Sequence, residues 1–340
     1  MAVVGDVFGL NAVYGRQIED VENNNYASWP EIGFSPPVTA RKTLREKGYK
    51  SYGYFGGGYA YPSLHSTIDR IDFSNETTSA PGNNLPQTQY HGAATSSNSY
   101  GYFAGGVPGP GILCKIFRID FVSEIASIPG NNLTAARRYI LATSSSSYSY
   151  FGGGDTSPTG LIDRVDFSNE TTSAAVNNLT QARYSLAATS SNSYGYFAGG
   201  RTPPTVATID RIDFSNETTS APGNNLPEAR YKLAALSSNS YGYFGGGFGS
   251  TNDVATVDRI DFSNETTSAP GNNLTLARQG LAAVSSSFYG YFGGGNPISP
   301  PSTSTVATID RIDFSNETTS APGNNLPLSR RDLSAVSNSN

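Results

Sequence analysis

The side chains of this chain that could do chemistry are few, and their spacing argues against it. Its histidines are His65 and His91 and its one cysteine is Cys114. The two histidines fall in different copies of an internal repeat, so with a single thiol they do not supply the common zinc or copper ligand sets. A lone imidazole at 91, with no nameable partner, reads as a surface side chain rather than a catalytic base. Arginine and aspartate recur two residues apart, as Arg70 with Asp72 and Arg211 with Asp213, and again at 118/120, 164/166, 259/261 and 311/313. That spacing places both on one face of a strand. A guanidinium can serve several acceptors, so six repetitions read as a structural bridge between neighbouring units.

Paired glycines recur as well, at Gly57 and Gly58, Gly105 and Gly106, Gly153 and Gly154, Gly199 and Gly200, Gly246 and Gly247, and Gly294 and Gly295. A phosphate-cradling loop would need a Lys-Ser/Thr and a helix after them, and neither follows. They are read as structural, permitting positive φ and close backbone approach. The Asn-Glu-Thr runs at Asn75, Asn169, Asn216, Asn264 and Asn316 match glycosylation acceptors formally. They are read as Asx-type turns.

All these residues are carried by one repeat. A Tyr-Phe pair returns at Tyr54, Tyr102, Tyr150, Tyr196, Tyr243 and Tyr291, every 46 to 48 residues. A unit of that size cannot bury its apolar faces alone and must stack on its neighbours. In the copy from Arg230 to Leu274, LAALSSNS and YGYFGGG predict two strands joined by a tight turn, TVDRIDF a third, and TSAPGNNL, after an SNET turn, a fourth. We call these strands a to d. Charged residues are only 14% while glycine and proline are plentiful, as in a turn-rich β protein.

The small-residue strand, the aromatic strand ending in Gly-Gly, the later Asp-aromatic strand and the Pro-x-Ala-Arg link together resemble the kelch repeat of β-propellers, over residues 41 to 340. The late tryptophan of that family is missing, its slot lying near ETTSA. Near-identity of the copies also resembles kelch-like proteins of marine bacteriophages. The resemblance implies an all-β, six-bladed propeller of four-stranded antiparallel blades, and a binding rim where the channel opens.

The ends of the chain indicate how such a ring closes. Leu333, Ala335 and Val336 repeat the strand-a pattern with no strand b after them, whereas Arg45, Glu46 and Lys47 put charge where the other copies are apolar. Charge suits an innermost strand badly. The C-terminal segment is therefore expected to supply strand a of the first blade; in the rival arrangement residues 41 to 50 do so and the tail pairs with another subunit. Residues 1 to 40, with Trp29 and Pro30, Pro36 and Pro37, fall outside the repeat and are expected to form an extended anchoring arm.

Successive turns of an up-and-down blade alternate between faces, so b-to-c loops share a face with d-to-a links. Those segments vary, while the SNET and Ser-rich turns barely do. Two residues after the recurring Arg slot stand His91, Tyr139, Ser185, Lys232, Gly280 and Asp332, preceded by Tyr90, Arg138, Tyr184, Tyr231, Gln279 and Arg331. Tyr and Arg are favoured interface anchors, so this set is the candidate ligand-binding rim.

A net charge of -5 argues against a general nucleic-acid binder. No apolar run is long enough to span a bilayer, and the N-terminus lacks a signal-peptide pattern. The expectation is a non-enzymatic binding module, with no cofactor or metal and no membrane insertion. It would be a phage virion or tail-fibre protein that meets a host surface glycan or protein through its variable face, with residues 1 to 40 meeting another virion protein. The alternative is a structural capsid or tail decoration protein.

Overall fold

A computed structural model describes residues 51–155, 157–175, 177–297 and 304–338; the expected arm at 1–40 and the rival strand at 41–50 lie outside the described residues. Six four-stranded antiparallel sheets follow one another along the chain. In the blade read above, strands a to d are Ala234–Ser237, Tyr241–Gly245, Val257–Asp261 and Thr267–Ser268. Each strand a lies beside the strand a of the next blade, and the circle of neighbours closes on itself. The molecule is a six-bladed β-propeller.

Blade 1 is closed by the chain's end, as the sequence predicts. Ser334–Ser337 pairs antiparallel with Tyr52–Gly56, with Tyr54 opposite Val336 and Phe55 opposite Ala335. Ile68–Asp72 and Thr78–Ser79 complete the sheet, so the slot claimed by residues 41–50 in the rival arrangement is filled. Alternation puts the second residue of strand a, such as Ala235, toward the channel, while Ala234 and the Thr, Leu or Val at the third place pack between blades. A Cβ on Gly290, for example, would meet the Leu236 methyls of the preceding blade at 2.5 Å.

The recurring arginine and aspartate part company, which corrects one expectation. Arg70 does bridge blades, but its acceptor is Glu124 on the c-to-d turn of the next blade, at 2.8 Å. Asp72 instead accepts from the Ser74 amide and hydroxyl and holds its own turn, and Asp213 does the same with Ser215. The physical reason is reach: Asp is short and sits at the mouth of the turn, whereas the long guanidinium spans the seam. Tyr54 donates its hydroxyl to the same Glu124 at 2.9 Å and stacks on Phe121 of that blade. Tyr, Arg and Glu repeat this handover at every seam; the sixth, from Tyr291 and Arg311 to Glu76, returns to blade 1. Burial and the facing carboxylate push the Tyr54 and Tyr291 phenols well above their ordinary range. The Asn-Glu-Thr runs are Asx turns, the Asn75 side-chain oxygen accepting from the amide and hydroxyl of Thr77.

A second charge pair lies inside the blades. The Arg of each link enters the sheet it precedes and meets the first Asp of strand c, as Arg137–Asp163, Arg183–Asp210, Arg230–Asp258, Arg278–Asp310 and Arg330–Asp69, at 2.5–3.0 Å. These are among the largest fully buried side chains of the molecule. Blade 2 replaces both members, with Gln89 and Phe117, both buried. Gln89 keeps one of the arginine's bonds, donating to the Gly105 carbonyl as Arg137 donates to Gly153. A buried charge without its partner is strongly unfavourable, while replacing both partners is tolerated. Arg230→Gln alone is therefore expected to cost about 3–5 kcal/mol in urea unfolding. The double change Arg230→Gln with Asp258→Phe, which imports the blade 2 solution, should recover most of that loss; a double variant no more stable than the single would refute the exchange.

Candidate functional site

The twelve paired glycines set up the channel mouth. All have positive φ. At Gly246 a Cβ would stand 2.7 Å from the Arg278 carbonyl of the next blade. The amide of Gly247 then donates to that carbonyl at 2.9 Å, a bond repeated at all six seams. Glycine is needed here because the backbones touch.

Beyond each Arg slot the chain turns through one left-handed residue. These are His91, Tyr139, Ser185, Lys232, Gly280 and Asp332, with φ between 53° and 65°. Their amides and carbonyls form a closed circle around the channel: His91 donates to Asp332, Tyr139 to His91, Ser185 to Tyr139, Lys232 to Ser185, Gly280 to Lys232 and Asp332 to Gly280, at 2.6–3.0 Å. A non-glycine residue held left-handed costs on the order of 1–3 kcal/mol. The circle of backbone hydrogen bonds offsets that cost and fixes where six side chains begin.

The structure thus brings together the six slot residues named from the sequence, and they surround one cavity of about 60 Å³. The residues before them sit one step outward. Tyr90, Arg138, Tyr184, Tyr231, Gln279 and Arg331 each pair with the first loop residue after a Gly-Gly: Val107, Asp155, Arg201, Phe248, Asn296 and Tyr59. These bridges place b-to-c loops and d-to-a links on one face. The Ser-rich and c-to-d turns gather on the other, where Ser97, Tyr100, Ser146 and Ser168 line a shared groove. The loop partners were missed as site residues, although their place directly after Gly-Gly marks them.

Two arcs overlap at the mouth, sharing His91, and Lys232 Nζ of the second stands 5.6 Å from the Tyr139 ring of the first. In the first, Tyr90, His91, Tyr139 and Tyr184 form an aromatic row with successive centroids 4.2, 3.9 and 5.8 Å apart. In the second, Asp332 takes Lys232 Nζ at 3.1 Å on one oxygen and has His91 Nε2 at 2.9 Å from the other. The imidazole contact has ion-pair distance but is out of line for a straight hydrogen bond. Gly280 makes room for this carboxylate, since a Cβ there would lie 2.8 Å from its oxygen.

Burial opposes the charge on Asp332, yet His91, Lys232 and Arg331 hold its pKa below the usual carboxylate range. Burial lowers the pKa of His91, against the pull of Asp332, and raises that of Tyr139 to about 12. Ser185, His91 and Asp332 border one cavity, but Ser185 Oγ and His91 Nδ1 have no hydrogen-bond partner. A nucleophile and base in mutual contact are therefore not present at this mouth. No group of three metal-ligating side chains occurs among the described residues.

The depressed His91 pKa gives a pH dependence. Charged Asp332, Lys232 and Arg331 face this imidazole, together with the Tyr90 and Tyr139 rings. The unfolded chain takes up the proton first as pH falls, so stability is complete above the ordinary histidine range and declines as pH drops through it. The Asp332 contribution is lost only at lower pH, as its carboxylate protonates. Melting temperature should fall between about pH 7.5 and about 5.5 in the wild type and fall less in His91→Asn, which tolerates the left-handed backbone. Equal slopes for both proteins would refute the assignment.

No protein-family model matches the chain, and no curated protein matches it.

Proposed function

We propose that the protein is a non-enzymatic binding module, a kelch-like propeller of a phage virion or tail fibre that recognises a host surface glycan or protein through its variable loop face. One observation carries the reading. The mouth holds a buried Asp332–Lys232–His91 cluster that the scaffold does not need, because the circle around the channel is made by peptide groups and one of its members is Gly280. Buried charge is a burden on stability, and its placement at the end of a channel beside unpaired polar groups suits a ligand. In this reading residues 1–40 attach the disc to another virion protein. The alternative, a decoration protein contacting neighbouring virion subunits, is favoured by blade 2. It exposes Val122, Ile125 and Ile128 where the other blades carry Ser, Thr and Ala.

A glycan array and a panel of intact bacteria, probed with the wild type and with a Tyr231→Ala, Lys232→Ala variant, test the reading. The wild type should be retained on at least one surface and the variant about tenfold less, the effect of losing roughly 1.4 kcal/mol. No retention on either panel, or equal retention of both proteins, would reject recognition by this face.

A further inference from the structure

The mouth contains two buried polar groups that the fold leaves unused. His91 Nδ1 and Ser185 Oγ make no hydrogen bond, and their side chains line the same cavity. The His91 side chain is only 8% exposed and Ser185 3%. A buried polar group without a partner is costly, which makes each a candidate contact for a ligand or water. A cavity of about 60 Å³ is small. It takes roughly four to six waters, or one edge of a small ring, and no more.

The charge pattern then selects the ligand class. An anion entering the cavity approaches the ionised Asp332, and a cation approaches Lys232, so the compensated pair penalises net charge of either sign. It rewards groups that both donate and accept. Hydroxyls do this: one can give to Asp332 or His91 while taking from Lys232 or Ser185. Adjoining that polar cluster through His91, and with Lys232 Nζ 5.6 Å from the Tyr139 ring, lies the aromatic row of Tyr90, Tyr139 and Tyr184, all partly exposed. A ligand for both arcs has a hydroxylated edge and an apolar face.

We infer that the channel mouth is a subsite for an uncharged sugar ring, one hydroxyl-bearing edge entering between His91, Ser185, Lys232 and Asp332 and its apolar face lying toward the tyrosine arc. This rests on the binding reading above and narrows it to one chemistry. The pair sets the charge preference, so altering one member changes it predictably. Asp332→Asn leaves Lys232 uncompensated and favours an acidic sugar; Lys232→Met leaves Asp332 uncompensated and favours a protonated amino sugar.

The test uses the full chain on immobilised saccharides sharing one linker and ending in a neutral hexose, a hexuronic acid or an amino sugar. Wild type is expected to hold neutral termini at least about tenfold better than either charged set. Asp332→Asn should shift retention to uronic acids and Lys232→Met to amino sugars, each by about tenfold. Thermal melts establish that each variant is folded. Should either unfold, Gly280→Ala gives a second route, since its Cβ must displace the Asp332 carboxylate and so weaken neutral-sugar retention. Wild-type preference for charged termini, or a preference unmoved in folded variants, would overturn the inference. Retention on bacterial cells without any sugar retention would overturn the sugar inference and leave the binding reading standing; absence of both would remove the two together.

Discussion

One carboxylate per blade carries the seams of this propeller. Each c-to-d turn presents a glutamate to the blade before it, where a tyrosine hydroxyl and a guanidinium converge on it. The glutamate can reach only because its own backbone is left-handed, with φ between 55° and 59° at all six copies. Asn and Asp side chains stabilise the turn that forces this conformation. The Asp and Glu of that turn are thereby held in every blade, while blade 2, with Val122, Ser123 and Ile125, keeps the same pose with other residues around them: the turn makes the glutamate's pose, and the pose closes the ring. Threonines at the outer edge add to the seam, as when Thr267 donates to the Asn225 carbonyl of the preceding blade.

The other face is joined differently. There the glycine amide meets the carbonyl of the next blade's Arg slot, and the left-handed residues bond peptide to peptide around the channel. Main-chain bonds do not read side chains. His, Tyr, Ser, Lys, Gly and Asp can all occupy the same place in the circle, provided the backbone tolerates positive φ. The contrast between a monotonous face and a diverse one thus has a mechanical origin. One face is fastened by side chains, which holds its Asp and Glu in all six blades; the other is fastened by backbone and leaves every side chain free to vary.

Much of this was legible in the residues. The period gave the blade count, the apolar Leu333, Ala335 and Val336 against the charged Arg45 to Lys47 gave the closure, and turn alternation gave the two faces. Alternation is local physics, so it survives into the fold. What was not legible was which Asp an Arg would find. Spacing suggested Arg70 with Asp72, but pairing across a seam depends on side-chain reach and on a turn conformation that spacing does not encode. The buried Arg230–Asp258 type of pair had a signal that went unread: in blade 2 both members depart together, as Gln89 and Phe117. Joint departure in one copy of a repeat reports contact as two separate changes do not.

The mechanical origin of the asymmetry bears directly on function. Drift on a face fastened by backbone would produce diversity without any ligand, so diversity alone does not separate recognition from tolerance. Composition does. Drift under selection for stability favours exposed, solvated or small side chains at such places, as Gly280 illustrates. It does not favour a carboxylate only 4% exposed, held between an ammonium and an imidazole, with a serine hydroxyl and a ring nitrogen left unpaired beside it. Those groups are drawn from blades 1, 2, 4 and 5, so no single repeat could have acquired them as a unit. Their convergence uses what a ring alone provides, a point at which every blade contributes one side chain, and it is this convergence that argues for a ligand at the channel mouth.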